Sequence, residues 1–238
     1  MSKLTWKILG DRSYTPYSKH VEMAVCVGKN RCYPGVRIEN IAFPDSIDAV
    51  RAAVSDCLGS GDVPQKIITT PGSSIVSLNH WIDLLNVEHS EQDDISDLHV
   101  ESPAMELLDD EILPTLTALI PMAVTPASDF PVSALLDTDK GTFPGVNVEV
   151  QDWAYGLCAE RLALSRAISY GATKLNSIYV HAPKSEYSSP CGSCRQVLNE
   201  HLGKDSMITM HHGDHTSSEM KFKAMLPYSF QSTHLLNK

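Results

Sequence analysis

No stretch of this 238-residue chain approaches the ~20 consecutive apolar residues of a membrane-spanning helix. Met1-Ser2-Lys3-Leu4-Thr5 opens no apolar run of the kind a secretory leader carries. The chain is therefore read as soluble and intracellular, with no membrane partner. Basic residues are scarce: 19 Lys and Arg stand against 29 Asp and Glu, a formal net charge of -10. Residues 86 to 112 hold ten of the acids and no Lys or Arg, which leaves 29 − 10 = 19 acids against 19 bases elsewhere. That balance argues against a basic groove tracking a phosphate backbone, so no nucleic-acid partner is expected and a free small molecule is favoured. Cysteine is absent between Cys57 and Cys158. Cys26, Cys32 and Cys57 lie scattered before that gap and are read as buried small hydrophobes. In an intracellular chain such spacing favours metal binding by the clustered remainder over three disulfides.

That remainder is Cys158-Ala159-Glu160-Arg161 followed by Pro190-Cys191-Gly192-Ser193-Cys194-Arg195. A lone C-x-x-C also serves redox pairs and half of a structural zinc site. With the upstream cysteine it makes three ligands, and three ligands leave a fourth tetrahedral position open for water, as catalytic zinc requires. Both clusters fall at predicted helix starts, where the positive end of the dipole stabilises thiolates. Glu160 stands two residues past a ligand, able to face the open position without coordinating, and is suited to carry protons between water and substrate. Three thiolates on Zn²⁺ leave a net charge of -1, and Arg161 and Arg195 are the candidate cations to donate to sulfur. The run His211-His212-Gly213-Asp214-His215 is read as solvated surface rather than a second metal site.

The chain repeats itself. Tyr33-Pro34-Gly35-Val36-Arg37-Ile38-Glu39 parallels Phe143-Pro144-Gly145-Val146-Asn147-Val148-Glu149, 110 positions later, and Asp48-Ala49-Val50-Arg51 parallels Cys158-Ala159-Glu160-Arg161 at the same offset. Two copies of one fold are inferred, each reading as strand, turn, strand, helix, strand, helix. In the second, residues 131 to 137 and 142 to 150 flank an Asp139-Lys140-Gly141 turn. Helices are predicted from Cys158 to Tyr170 and from Pro190 to about Leu202, with strands at 177 to 181 and 207 to 210. In the first copy Asp48 replaces a ligand and Val50 the carboxylate, which excludes zinc there. Residues 1 to 105 are taken as a degenerate, non-catalytic domain with an acidic tail or linker, and 106 to 238 as the catalytic domain.

C-A-E followed by P-C-x-x-C resembles the signature of the zinc deaminases, and the chain resembles a cytidine deaminase of the three-cysteine type. The resemblance implies an α/β fold, with each of two tandem α/β/α domains a mixed sheet flanked by helices. It implies Zn²⁺ on Cys158, Cys191 and Cys194, Glu160 as the proton carrier, and hydrolytic attack at C4 of a pyrimidine nucleoside. Phe130 in Phe130-Pro131-Val132 resembles the family aromatic that packs on the ring. Asn147 and Glu149 match its Asn-x-Glu pair for ribose hydroxyls, and the spacing of two independently puts both on one face of an extended segment. Ala159 falls in the substrate wall, and Phe230 in Leu226-Pro227-Tyr228-Ser229-Phe230 resembles a second pocket aromatic. Single-copy relatives are homotetramers, so the resemblance implies a homodimer imitating one. Two-copy members commonly carry the catalytic copy first, whereas here it is second. The implied activity is deamination of cytidine and deoxycytidine in pyrimidine salvage. Alternatives are a deaminase of blasticidin S, of a nucleotide or of a polynucleotide, or a retired zinc protein used for assembly.

Overall fold

The computed structural model describes residues 3–203 and 205–229. The first copy runs α1 (Trp6–Arg12), β1 (Met23–Gly28), β2 (Cys32–Val36), α2 (Ala49–Leu58), β3 (Pro64–Thr69), α3 (Leu78–Leu85) and β4 (Glu88–Glu91). Its sheet has the order β2-β1-β3-β4, antiparallel except for the β3–β4 pair. The second copy runs α4 (Ile112–Leu119), β5 (Ser133–Thr138), β6 (Gly141–Val146), α5 (Ala159–Ser169), β7 (Leu175–His181), α6 (Gly192–His201), β8 (Met207–His211), β9 (Ser217–Lys221) and α7 (Phe222–Met225). Its sheet has the order β6-β5-β7-β8-β9, with β7 and β8 parallel. Both units are mixed-sheet α/β domains with flanking helices.

The repeat read from sequence survives as strand register. β1 and β2 pair Met23 with Val36 and Val25 with Pro34, and β5 and β6 pair Ser133 with Val146 and Leu135 with Pro144. The isolated bridges Tyr14–Ile38 and Ile38–Ile47 recur as Val124–Val148 and Val148–Leu157. Every one of these positions is shifted by the same 110 residues. The second hairpin closes at Gly141, whose φ of +96° is a conformation that side chains with a Cβ rarely adopt.

Gly145 sets the distance between sheet and helix. A Cβ there would lie 2.1 Å from the Ala159 carbonyl oxygen and 2.6 Å from the Ala163 nitrogen, and Gly35 stands in the same relation to Ala49 and Ala53. The missing side chains let the first turns of α5 and α2 rest directly on β6 and β2. All eleven residues of α5 are buried, including Glu160, Arg161 and Arg166. A helix buried all round needs cover on both sides. Here its own sheet supplies one side and the first copy the other. Between the copies, Arg166 meets Asp56 at 2.6 Å, each side chain 2% exposed, and also donates to the Asp56 carbonyl and Ser60 Oγ.

Several elements differ from the sequence expectation. The acidic stretch begins as β4, a strand parallel to β3, because Glu88 to Glu91 lie at a sheet edge where charged side chains stay solvated. Met105 exchanges two backbone hydrogen bonds with Thr142, tying the end of the acidic stretch to the second sheet. β6 ends at Val146 rather than Val150, because Val148 turns to bridge Val124 and Leu157. Pro190 precedes the N-cap Cys191 instead of entering the first turn of α6. His212 is buried rather than solvated: the chain after β8 folds back, and its ring nitrogens meet the Ser188 N–H and Ser218 Oγ. Cys26, Cys32 and Cys57 are buried and free, as expected. Among the described residues no helix is long and apolar enough to cross a membrane.

Candidate active site

Cys158 and Cys191 are the N-caps of α5 and α6, and Cys194 lies in the first turn of α6. Cys158 makes no side-chain cap bond, so its sulfur is not engaged by the backbone N–H groups of its own helix start. The ligand atoms of Cys158, Cys191 and Cys194 all lie within 4.8 Å of one another, with Cys158 Sγ 3.9 Å from Cys191 Sγ. A tetrahedral zinc with Zn–S near 2.3 Å needs sulfurs about 3.8 Å apart, so the trio fits the ion and leaves one position open. Among the described residues this is the one cluster of three or more metal-ligating side chains.

The thiols divide unevenly. Donation from Cys158, then from Cys194, pulls the Cys191 thiol far down, helped by the Cys194 and Ser193 backbone N–H groups at the helix start. Cys158 and Cys194 are raised as the donors. Cys191 is exposed and Cys194 buried, so the site has an open side and a closed one.

Glu160 is 3% exposed, and burial pushes its carboxyl up to about 7. Its side chain lines a cavity of about 380 Å³ together with Cys158, Ala159 and Cys191. Phe130, Asn147 and Glu149 line the same cavity, so seven sequence-predicted residues meet in one place. The volume falls in the range of small-molecule sites. Tyr187 and the Ser188 and Ser189 loop also line it, and no motif signalled them.

Asn147 and Glu149 are already engaged. Asn147 Oδ1 accepts from the Val132 N–H at 2.8 Å, and its Nδ2 donates to the Phe130 carbonyl at 2.9 Å. Glu149 accepts from the Ala127 and Ser128 N–H groups and from Ser128 Oγ. The pair therefore holds the loop that presents Phe130, with an amide N–H and carboxylate lone pairs still free.

Neither arginine donates to sulfur as expected. Arg161 donates to the Asp45 carbonyl at 2.8 Å and to Ser193 Oγ at 3.3 Å, and Arg195 to the Pro190 carbonyl and Ser189 Oγ, both at 2.8 Å. The reason is competition: Arg195 finds a carbonyl and a hydroxyl just before Cys191, and Arg161 spans from Ser193 to the Asp45 carbonyl of the first copy. Phe230 lies outside the described residues.

The first copy holds different chemistry in the equivalent place. Asp48 caps α2, accepting from the Arg51 N–H, and takes a 2.5 Å bond from Ser77 Oγ. Arg37 and Glu39, at the positions of Asn147 and Glu149, form an ion pair, and Arg37 also pairs with Glu22 at 3.0 Å. Charged pairs thus stand at the positions that in the second copy line the cavity.

Comparison with known proteins agrees with both copies. The family model described as the cytidine and deoxycytidylate deaminase zinc-binding region matches residues 109–210, which contain all three cysteines and Glu160, and a second model of the same description matches residues 9–70. The cytidine deaminase of Mycoplasma genitalium is 29% identical over 123 residues, 51% of this chain and 95% of that protein. The cytidine deaminase of Sporosarcina psychrophila is 32% identical over 114 residues, 48% of this chain and 84% of that protein. The crystal structure of the Burkholderia pseudomallei cytidine deaminase aligns with 52% of this chain and all of its own, at 28% identity and a TM-score of 0.49. With a three-sulfur zinc site and family matches in both copies, the chain belongs to the cytidine and deoxycytidylate deaminase zinc-binding family.

Proposed function

We propose that this chain catalyses the hydrolytic deamination of cytidine and deoxycytidine to uridine and deoxyuridine, a step of pyrimidine salvage in the cytoplasm. The observation that carries the reading is the shared cavity: Cys158, Cys191 and Glu160 open into the same 380 Å³ as Phe130, Asn147 and Glu149. Bound zinc supplies a Lewis acid with an open position at which water becomes acidic. Cys158, Cys191 and Cys194 would hold the ion. Glu160 takes a proton from the attacking water and delivers it to N3 of the ring, then passes the second to the amino group. The water oxygen ends on C4 and ammonia leaves. Phe130, 37% exposed, offers an apolar face to the pyrimidine, and Ala159 forms the wall beside the ligands. The free capacity on Asn147 and Glu149 suits ribose hydroxyls. Glu160→Gln should keep zinc and lower kcat on cytidine by at least ~10²-fold, the lower range for a positioned acid–base group; undiminished turnover would refute the role.

We assign catalysis to residues 106–238 and a supporting role to residues 1–105, with two chains forming a homodimer. Phe43 and Trp153, 110 positions apart, are 84% and 67% exposed, and Trp153 borders a cleft that also reaches Cys158, Asn147 and Glu149. Large aromatics on a surface beside a site are typical of association faces. Sedimentation showing a monomer at micromolar concentration overturns the pairing.

A further inference from the structure

The turn Cys191-Gly192-Ser193-Cys194 supplies two of the three sulfurs, and its two sides differ. At Gly192 a Cβ would meet nothing within 4 Å, so that side is open. The other side rests on the first copy. Ser193 Oγ donates to Asp45 Oδ1 at 2.5 Å, and Arg161 bridges the same pair, giving Nη2 to the Asp45 carbonyl at 2.8 Å and Nη1 to Ser193 Oγ at 3.3 Å. A serine hydroxyl has one proton to give. Here it goes to Asp45, while a lone pair receives Arg161, so the three groups close a network.

Asp45 ends the short 3-10 helix Phe43–Asp45 of the first copy. Its counterpart 110 positions later is Tyr155, which ends the matching helix Trp153–Tyr155. The counterpart contact is also present: the Tyr155 carbonyl accepts from Arg51 Nε at 3.1 Å, and its ring stacks on His80, centroids 3.9 Å apart. His80 lies three residues past the Ser77 cap of α3, as Cys194 lies three past the Cys191 cap of α6. Each copy therefore presses the end of its 3-10 helix against the α3 or α6 turn of the other. On the metal-free side the contact is an aromatic stack. On the three-cysteine side it is a carboxylate hydrogen-bonded next to a ligand.

We propose that Asp45, contributed by the non-catalytic copy, is a positioning residue of the zinc site: through Ser193 and Arg161 it fixes the turn that aims Cys191 and Cys194 at the ion. The proposal rests on the three-cysteine zinc site and deepens the supporting role assigned to the first copy. Groups that orient metal ligands without touching the metal typically change metal affinity 10–100-fold when removed.

The test is zinc release to an excess of a chromogenic chelator, measured on the full chain beside thermal unfolding. Asp45→Ala and Ser193→Ala should each speed release about tenfold. The double variant should match the faster single variant within about twofold, because one network is being removed once. Asp45→Asn keeps an acceptor for Ser193 and should stay within about threefold of the unsubstituted protein; release as fast as in Asp45→Ala overturns the hydrogen-bond account. Arg12→Ala removes a different contact between the copies, from α1 to the Ser169 carbonyl at the far end of α5. It should lower the unfolding temperature without speeding release, and equal acceleration would show general loosening and overturn the proposal, as would release in Asp45→Ala within about twofold of the unsubstituted protein. A protein that holds zinc but turns over no pyrimidine nucleoside sinks the proposed function and leaves this comparison intact.

Discussion

Glu160 carries its charge where water scarcely reaches, and burial raises its carboxyl to about 7 from the ordinary carboxylate range. Burial, the largest cause of the shift, does not depend on the metal, so the upward direction is expected to hold with zinc bound. The ionised form is the one that can take a proton from water. Activity should therefore be full above the raised value and fall as pH drops through it. The expected profile of kcat/KM on cytidine has an acid limb displaced above that of an ordinary carboxylate; a limb within or below the ordinary carboxylate range contradicts the account of Glu160. The ligands and Glu160 were legible in the sequence because both motifs are short and each sits at one helix start. Asp45, which the fold brings to Ser193 across 148 positions, carries no local signal. Nor did Ser188, whose N–H reaches the His212 ring and whose Oγ donates to the His211 carbonyl.

At the scale of elements, the site depends on how closely α5 lies on β6. Gly145→Ala would drive a methyl group into the Ala159 carbonyl, and overpacking of this kind costs about 1–3 kcal/mol. The displaced turn carries Cys158 and Glu160, so weaker zinc retention should accompany the loss. Gly35→Ala repeats the clash at Ala49, beneath a helix that bears no ligand. It should cost similar stability in urea titration and leave zinc retention unchanged. Equal zinc loss in both variants would contradict the local account. The hairpin, α5 and α6 could be anticipated from turn residues and apolar spacing. β4 and β9 could not, since their Glu, Ser and Lys residues lie at sheet edges and show little apolar signal. α1 and α4 lie outside the repeated motif and were not anticipated.

For the whole molecule, the near-symmetry of the copies is broken where they meet. Asp56 and Arg166 are equivalent positions, 110 residues apart, and they face each other as a buried ion pair. Two identical first copies packed this way would set Asp56 against Asp56, and two second copies Arg166 against Arg166. Burying like charges in contact is costly, so the pair specifies one copy of each kind. Arg166→Met should destabilise the chain by about 3–5 kcal/mol, the cost of leaving a buried Asp56 without its cation; a loss under ~1 kcal/mol in urea unfolding would show the pair to be dispensable. The same asymmetry runs through the sites. Cys158, Cys191 and Cys194 converge in one copy, while Asp48 and Ser77 close on each other in its twin. One working zinc centre for two folds is the stoichiometry expected of this chain. Apoprotein titrated with zinc while cytidine deamination is followed by absorbance tests it directly. Activity should rise linearly and level off at one zinc per chain; a plateau at two, or no activity at any zinc content, would contradict it.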